Sequence, residues 1–301
     1  MRVLVTGITG QVGGAIVKAL PSHVSVVAAD RRQLDLAQPD RIGSILDRIA
    51  PDVIINPAAY TAVDRAQDEQ EMAYRINGEA PGALAHWAAS RQIPMIHFST
   101  DYVFDGTGTR AWREDDMPNP LSVYGASKLA GEDAVRTAGG PHLIVRTSWV
   151  YAPTGSNFLR TIMRLARERK ELRVVDDQIG APTSARLIAG TLARMIGSND
   201  ARLASQLAAA QGGIVNVAAS GETSWYGFAV AIVAGLKARG VALTVESIVP
   251  IATADYPTQA KRPINSRLDL TQLNKIFGIE TARWEDSLAM EIDHLVLQAV
   301  D

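Results

Sequence analysis

The chemistry-bearing residues of this chain cluster between positions 95 and 128. The stretch SVYGASKLAGE holds Tyr124 and Lys128, an i, i+4 pair that a helix stacks on one face. An ammonium beside a phenol favours phenolate and is expected to lower the Tyr124 pKa from its ordinary value of about 10. A phenol tuned in this way gives a proton to a carbonyl oxygen and takes it back. Upstream, the apolar run Met95-Ile96-His97-Phe98 leads into STDYVFDG, so a strand is expected to deliver the Thr100 hydroxyl and the Asp101 carboxylate at its C-terminal edge. Ligands bind at that edge in open α/β sheets. A hydroxyl, a phenol and an ammonium converging there could stabilise an alkoxide. Asp105 and Gly106 are read as the turn that follows.

A second constellation lies at the start of the chain. The first predicted strand ends in TGITGQVGG, with Gly7, Gly10 and Gly13 at three-residue spacing and a helix beginning at once. A pyrophosphate needs backbone without Cβ and the free N–H groups of a helix N-terminus, so this turn reads as a dinucleotide site. Asp30 ends the second strand roughly 20 residues further on, where an acid bonds the adenosine ribose and favours NAD. Arg31 and Arg32 follow it, and a guanidinium there suits a 2′-phosphate. NADH and NADPH therefore both stay open. In this kind of fold Asp35 and Leu36 can cover the adenine, and Asn56-Pro57-Ala58-Ala59-Tyr60-Thr61 ends the third strand in small residues against which a coenzyme can lie.

These residues need a frame, and the hydrophobic pattern supplies one. Short runs at Arg2 to Thr6, Val24 to Ala29, Val53 to Ile55, Met95 to Phe98 and Leu143 to Arg146 lack polar alternation and read as strands buried on both faces. Helical patterns lie between them at Val12 to Leu20, Ile42 to Ile49, Met72 to Ser90 and Tyr124 to Arg136. Strand and helix in alternation imply a parallel sheet covered by helices on both faces. After about residue 150 the rhythm loosens. Helices are expected at Phe158 to Arg169, Leu187 to Ile196, Trp225 to Arg239 and Trp284 to Leu297, with strands at Leu172 to Val175 and Ile214 to Ala218. The segment Asn199 to Gly213 reads as a frayed helix end plus loop. The division expected is a coenzyme-binding part over residues 1–150, with later segments at about 176–220 returning to it, and a smaller, discontinuous part drawn mainly from 151–301.

The bulk numbers exclude other classes. The 301 residues are 47% hydrophobic, and 30 basic against 32 acidic residues leave a net charge of −2, with no polybasic footprint for nucleic acid or membrane. Zero cysteines rule out disulfides and thiolate metal sites. The N-terminus MRVLVTG meets its first Gly before a secretory apolar region could form, and no apolar run approaches about 18 residues. The expectation is a cytoplasmic protein. The five histidines are scattered singly and read as structural.

Taken in order, TGITGQVG, NPAAYTAVDRAQ, STDYVFDG, VYGASKLAGE, RTSWVYA, DQIGAPT and YPTQAKRPINSRL resemble the motifs of the dTDP-4-dehydrorhamnose reductase family, within the extended short-chain dehydrogenase/reductase superfamily. They run from residue 6 to residue 268. The resemblance implies a Rossmann-type doubly wound parallel sheet with a smaller sugar-nucleotide-binding domain. It also implies hydride transfer from NADPH or NADH to C4 of a dTDP-4-keto-6-deoxyhexose. Thr100 matches the hydroxyl that bonds the keto oxygen, standing where many relatives carry Ser. Tyr124 matches the proton donor, and Lys128 the partner that also holds the nicotinamide ribose. Asp101 falls on a substrate contact, and Trp149 on an aromatic that lines the sugar pocket. Gly10, Gln11, Val12, Asp30, Asp35, Leu36, Ala59, Tyr60 and Thr61 correspond to the coenzyme shell. Arg262 suits a bidentate grip on the diphosphate, with Asn265 beside it; Gln178 and Thr183 are weaker candidates for the same pocket.

The chain departs from the pattern at one place. Some relatives carry a glutamate on the first helix that binds Mg2+ at a dimer contact, whereas GGAIVKAL has Ala15 and no acid. Mg2+ is therefore doubtful here, no metal site is assigned, and a homodimer stays open. Two rival readings are another nucleotide-sugar 4-ketoreductase, epimerase or dehydratase, and a non-catalytic NADP-binding regulatory subunit. Dehydratases of the superfamily carry Asp-Glu after the hydroxyl where this chain has Asp101-Tyr102. The intact Thr100, Tyr124 and Lys128 speak against the subunit.

Overall fold

The computed structural model describes residues 1–196 and 213–297. Most of the segment expected as a frayed helix end and loop, Asn199 to Gly213, lies outside them. The centre is a six-stranded, wholly parallel sheet. Its strands are β1 (Arg2–Thr6), β2 (Ser25–Ala29), β3 (Val53–Asn56), β4 (Met95–Thr100), β5 (His142–Thr147) and Ile214–Asn216. Across the sheet they run β2, β1, β3, β4, β5 and then Ile214–Asn216. From β1 the chain moves outward to β2 and then returns to the other side of β1 as β3. The crevice above that reversal is the place where doubly wound sheets bind their ligands.

The alternation within the strands explains the layers. Val3 and Val5 of β1 point into a core with Ile16 of helix α1 (Gln11–Ala19) and with Ile188 and Leu192 of the helix Ala185–Ile196. Leu4 between them points to the opposite core, against Ile42 and Leu46 of α2 (Pro39–Ile49). A third core holds Leu159, Phe228, Ile232, Trp284 and Leu288, carried by the helices Phe158–Glu168, Trp225–Ala238 and Trp284–Leu297. The helical pattern Met72 to Ser90 resolves into Gln70–Tyr74, a π-helical turn Arg75–Glu79 and Ala80–Ala89. Among the described residues no helix is long and apolar enough to cross a membrane.

The helix that carries Tyr124 and Lys128, Val123–Thr137, is fixed at several points. Ser122 caps it by accepting from the Gly125 N–H at 3.2 Å, and Gln67 Oε1 accepts the Val123 N–H at 2.8 Å. Gly125 is packed so closely that a Cβ there would lie 2.1 Å from the Tyr102 carbonyl oxygen. Two turns on, Glu132 accepts from Arg146 of β5 in a bidentate pair, 2.9 Å at Nε and 2.6 Å at Nη2, with both side chains excluded from water. The Arg146 guanidinium also sits 5.0 Å from the Phe104 ring centroid. Breaking such a pair from one side leaves a buried charge alone, so Glu132→Ala is predicted to cost about 3–5 kcal/mol in urea unfolding. A loss below about 1 kcal/mol, the value typical of an exposed pair, would contradict that reading.

Candidate active site

At the end of β1 the chain turns through Gly7, at φ +59°, where a Cβ would meet Ala58 at 2.8 Å. The Gly10 N–H closes the turn on the Gly7 carbonyl at 2.9 Å. A Cβ on Gly13 would lie 2.3 Å from that same oxygen, so helix and strand touch only because both positions lack side chains. Helix α1 then opens at Gln11 and Val12 with no side chain capping its first N–H groups. This cradle fits a pyrophosphate, and it faces the switch point of the sheet.

Beyond it, Asp30 Oδ1 accepts the backbone N–H groups of Arg32 at 2.8 Å and Gln33 at 3.1 Å. A cavity of about 220 Å3 opens alongside, lined by Arg31, Arg32, Arg41 and Arg48 with Asp35 as its one carboxylate. Leu36, expected over the adenine, is 6% exposed and packs in the core with Leu34, Ile42 and Leu46. On the other side of the crevice, Asn77 is wholly buried in the π-helical turn. It accepts the Tyr60 N–H at 2.8 Å and donates to the Tyr60 carbonyl at 3.0 Å and to Ser127 Oγ at 3.0 Å. It thereby fixes the Ala59-Tyr60-Thr61 segment to the helix of Tyr124. The Tyr60 hydroxyl donates to Glu69 at 2.6 Å.

At the edge of β4 the Thr100 hydroxyl accepts the Tyr102 N–H at 3.2 Å and donates to Asp101 Oδ1 at 3.1 Å. Asp101 is 2% exposed and its Oδ2 has no hydrogen-bond partner. Burial raises this carboxyl to about 6, with the Ser266 and Thr100 hydroxyls opposing. The ring of Tyr124 meets that of Tyr102 edge-on, with centroids 5.5 Å apart. The expected fall in the Tyr124 pKa does not occur. Burial pushes the phenol up to about 12; the Thr100 hydroxyl pulls it down and the Asp101 charge pushes it further up.

Lys128 is engaged by the strand. Its Nζ donates to the Phe98 carbonyl of β4 at 2.7 Å and lies 3.4 Å from His97 Nε2. At 2% exposure this amine is pulled down to about 8 by burial, with Glu132 acting in the opposite sense. Thr100, Asp101, Tyr124 and Lys128 are thus brought to one edge, with the amine in contact with the strand.

Trp149 holds a left-handed backbone at φ +48°, which an L-residue with a bulky side chain adopts only under constraint. The constraint is visible: its indole stacks on Trp225 with centroids 3.6 Å apart and planes 10° off parallel. Behind it, a Cβ on Gly180 would lie 2.7 Å from Trp149 Cε2. Gln178 supports the stack by accepting from Trp225 Nε1 at 3.1 Å and donating to Thr253 at 3.0 Å. Thr183 is buried and donates to the Ala181 carbonyl at 2.9 Å. Arg262, expected to grip a diphosphate, donates through its two Nη atoms to Asp64 at 2.7 and 3.2 Å. Asn265, expected at the substrate, is 2% exposed. It donates to the Arg110 carbonyl at 2.7 Å and accepts from Arg267, so it ties the loop to its neighbours. Sequence reading missed Asn77, His97 and Asp64, whose roles arise from contacts with residues distant in the chain.

Sheet, glycine turn and the hydroxyl, phenol and amine at one strand edge define a nicotinamide-dependent oxidoreductase of Rossmann type. The model of the RmlD substrate binding domain family matches residues 1–297, and the chain belongs to that family. It is 44% identical over 302 residues to the dTDP-4-dehydrorhamnose reductase of Burkholderia thailandensis, covering 99% of this chain and all of the relative. It is 39% identical to that of Escherichia coli K12, covering 98% of each. Among solved structures, a dTDP-4-dehydrorhamnose reductase from Clostridium acetobutylicum superposes with a TM-score of 0.88 at 36% identity, over 99% of this chain and all of that one. The Bacillus anthracis enzyme in complex with NADP superposes at 0.85 and 31% identity, over 97% and 99% of the two chains.

A lysine whose proton affinity is lowered by burial is held at a cost to the fold. Below about 8 the folded chain must carry a desolvated cation, and between about 8 and 10.5 the unfolded chain binds more protons, so stability rises with pH across that window. Lys128→Met is therefore predicted to raise the urea midpoint at neutral pH, with the gain shrinking as pH climbs through the window. A midpoint lowered at neutral pH would contradict it.

Proposed function

We propose that the chain reduces the C4 keto group of dTDP-4-dehydro-L-rhamnose to dTDP-L-rhamnose. The observation that carries this reading is the convergence of the Thr100 hydroxyl, the Tyr124 phenol and the buried Lys128 amine beside the glycine cradle. The names of relatives similar over almost the whole chain support the substrate. A bound NADPH or NADH supplies the hydride. The cradle of Gly7, Gly10 and Gly13 binds its pyrophosphate. The four arginines around a single carboxylate suit a 2′-phosphate, which favours NADPH.

The protein's own work is positional and protic. Thr100 and Tyr124 hydrogen-bond the substrate carbonyl, and Tyr124 gives up its proton as negative charge builds on that oxygen. The Thr100 hydroxyl donates to Asp101 Oδ1 at 3.1 Å, so the carbonyl must compete with that carboxylate for the hydrogen bond. A phenol with raised proton affinity holds its proton until an alkoxide forms, which suits an acid that must not ionise beforehand. Lys128 lies beneath the reacting centre, its Nζ held on the Phe98 carbonyl at 2.7 Å. The third core, drawn mainly from residues 151–301, holds the sugar nucleotide, with the Trp149 indole as one wall of the pocket and Arg262 exchanging Asp64 for the diphosphate.

Mixed with NADPH and dTDP-4-dehydro-L-rhamnose, the protein is expected to consume the reduced-nicotinamide absorbance; no consumption with either coenzyme would reject the proposal. Tyr124→Phe is expected to lower kcat by about 10²–10⁴ while coenzyme affinity is kept, the range for losing a positioned acid. Near-normal turnover would remove Tyr124 from that role.

A further inference from the structure

His97 lies three residues before Thr100 on β4, is wholly buried, and has no part in the proposed reduction. Burial, and then the charge of Lys128, hold its imidazole well below the ordinary histidine range, so the ring carries one N–H at neutral pH. Which nitrogen bears it is set from the far side of the ring. Asn56 Nδ2 lies 3.1 Å from His97 Nδ1. The orientation of that amide is fixed by Thr6, whose hydroxyl donates to Asn56 Oδ1 at 2.6 Å while accepting the Ala58 N–H at 3.4 Å. A separation of 2.6 Å is ordinary for O–H···O and short for N–H···O, which places the amide oxygen toward Thr6 and the NH2 toward the ring. An NH2 only donates, so Nδ1 is the acceptor and the ring proton sits on Nε2. Nε2 is the atom 3.4 Å from Lys128 Nζ.

We propose that Thr6, Asn56 and His97 form a positioning chain that locks His97 as its Nε2–H tautomer and so turns a donor toward Lys128, favouring the amine form of this lysine over the ammonium. An N–H directed at an ammonium gives that cation nothing to bond. The same N–H directed at an amine completes an N–H···N hydrogen bond. The other groups around Nζ do not reverse this. From β4 the Phe98 carbonyl accepts from either form. On the lysine's own helix, Glu132 pulls toward the ammonium, but its carboxylate is already held by Arg146, and Tyr124, one turn earlier, keeps its proton. Asp101 lies toward Thr100 and Ser266, and its raised pKa leaves it a weakened anion near neutrality. The Asn56 backbone carbonyl acts on the ring in the opposite sense and is the smallest of the influences on it. The chain thus begins at the residue before the glycine turn, crosses β3 and β4, and ends at the catalytic helix. It brings the proton affinity of Lys128 down toward the working range, where the lysine exchanges its proton and is not a fixed cation.

The inference rests on Lys128 as the working amine of the proposed reductase, but its test needs no turnover. In full-length protein carrying 15N-labelled histidine, two-bond 1H–15N correlations report the tautomer of each ring, and the His97 signals are those lost in His97→Gln. The expected result is a protonated Nε2 and a bare Nδ1 throughout the neutral range. A protonated Nδ1, or an imidazolium in that range, would overturn the proposal. In His97→Gln the side-chain oxygen can turn an acceptor to Nζ, so the Lys128 titration, read from 13C at its Cε, is expected to move up by about one pH unit, tenfold in proton affinity. An unmoved titration would count against the chain even if the tautomer were as described. Because neither readout uses substrate, a failed reductase assay and a failed tautomer prediction remain separable.

Discussion

The hydrogen bond from Lys128 Nζ to the Phe98 carbonyl, 2.7 Å long and shut away from water, is the contact on which the rest of the site depends. It joins the helix Val123–Thr137 to β4, so the amine on that helix and the hydroxyl at the end of the strand keep one spacing. Two residues beyond Phe98, Thr100 takes its place at the strand edge; four residues before Lys128, Tyr124 takes its own on the helix. The Arg146 to Glu132 pair repeats the connection one turn further along, now to β5, with both charges buried. Both ties are costly to dehydrate and strongly directional, which is the character expected where geometry and not stability alone is being held.

Much of this was legible in the sequence. The buried strands could be read because a parallel sheet covered on both faces leaves its members uniformly apolar, and the alternation of Val3, Leu4 and Val5 between two cores shows why no polar position interrupts them. The glycine turn was legible because close packing admits no other residue, as the 2.3 Å approach at Gly13 shows. Tyr124 and Lys128 were found from their helical spacing. Spacing could not say what the amine would bond, so the lowered phenol pKa it suggested is replaced by one raised through burial. Asn77 and His97 were out of reach for a related reason. Each is an ordinary residue inside a helical or apolar run, and its work is done across 17 to 50 residues of sequence. Arg262 and Asn265 share one loop and differ only in which neighbours the fold brings to them: a carboxylate for the first, backbone carbonyls and another arginine for the second.

The remaining constraint lies on the side of the third core. Trp149 keeps a backbone conformation that costs of order 1–3 kcal/mol. The stack on Trp225 and the bare backbone of Gly180 hold it there. A side chain clamped on two faces at the end of β5 is held rigid. Asp64 and Arg262 join the loop after β3 to the loop carrying Asn265 through an ion pair that is partly open to water.

Lowered proton affinity at Lys128 is the point at which fold and chemistry meet in this account. The most direct measurement is the titration of the Lys128 side chain by 13C NMR at Cε in the full-length protein, assigned by its loss in Lys128→Met. The structure predicts a midpoint at about 8. A midpoint at the ordinary lysine value of about 10.4 would show that the amine is not held dehydrated against β4, and would contradict the account.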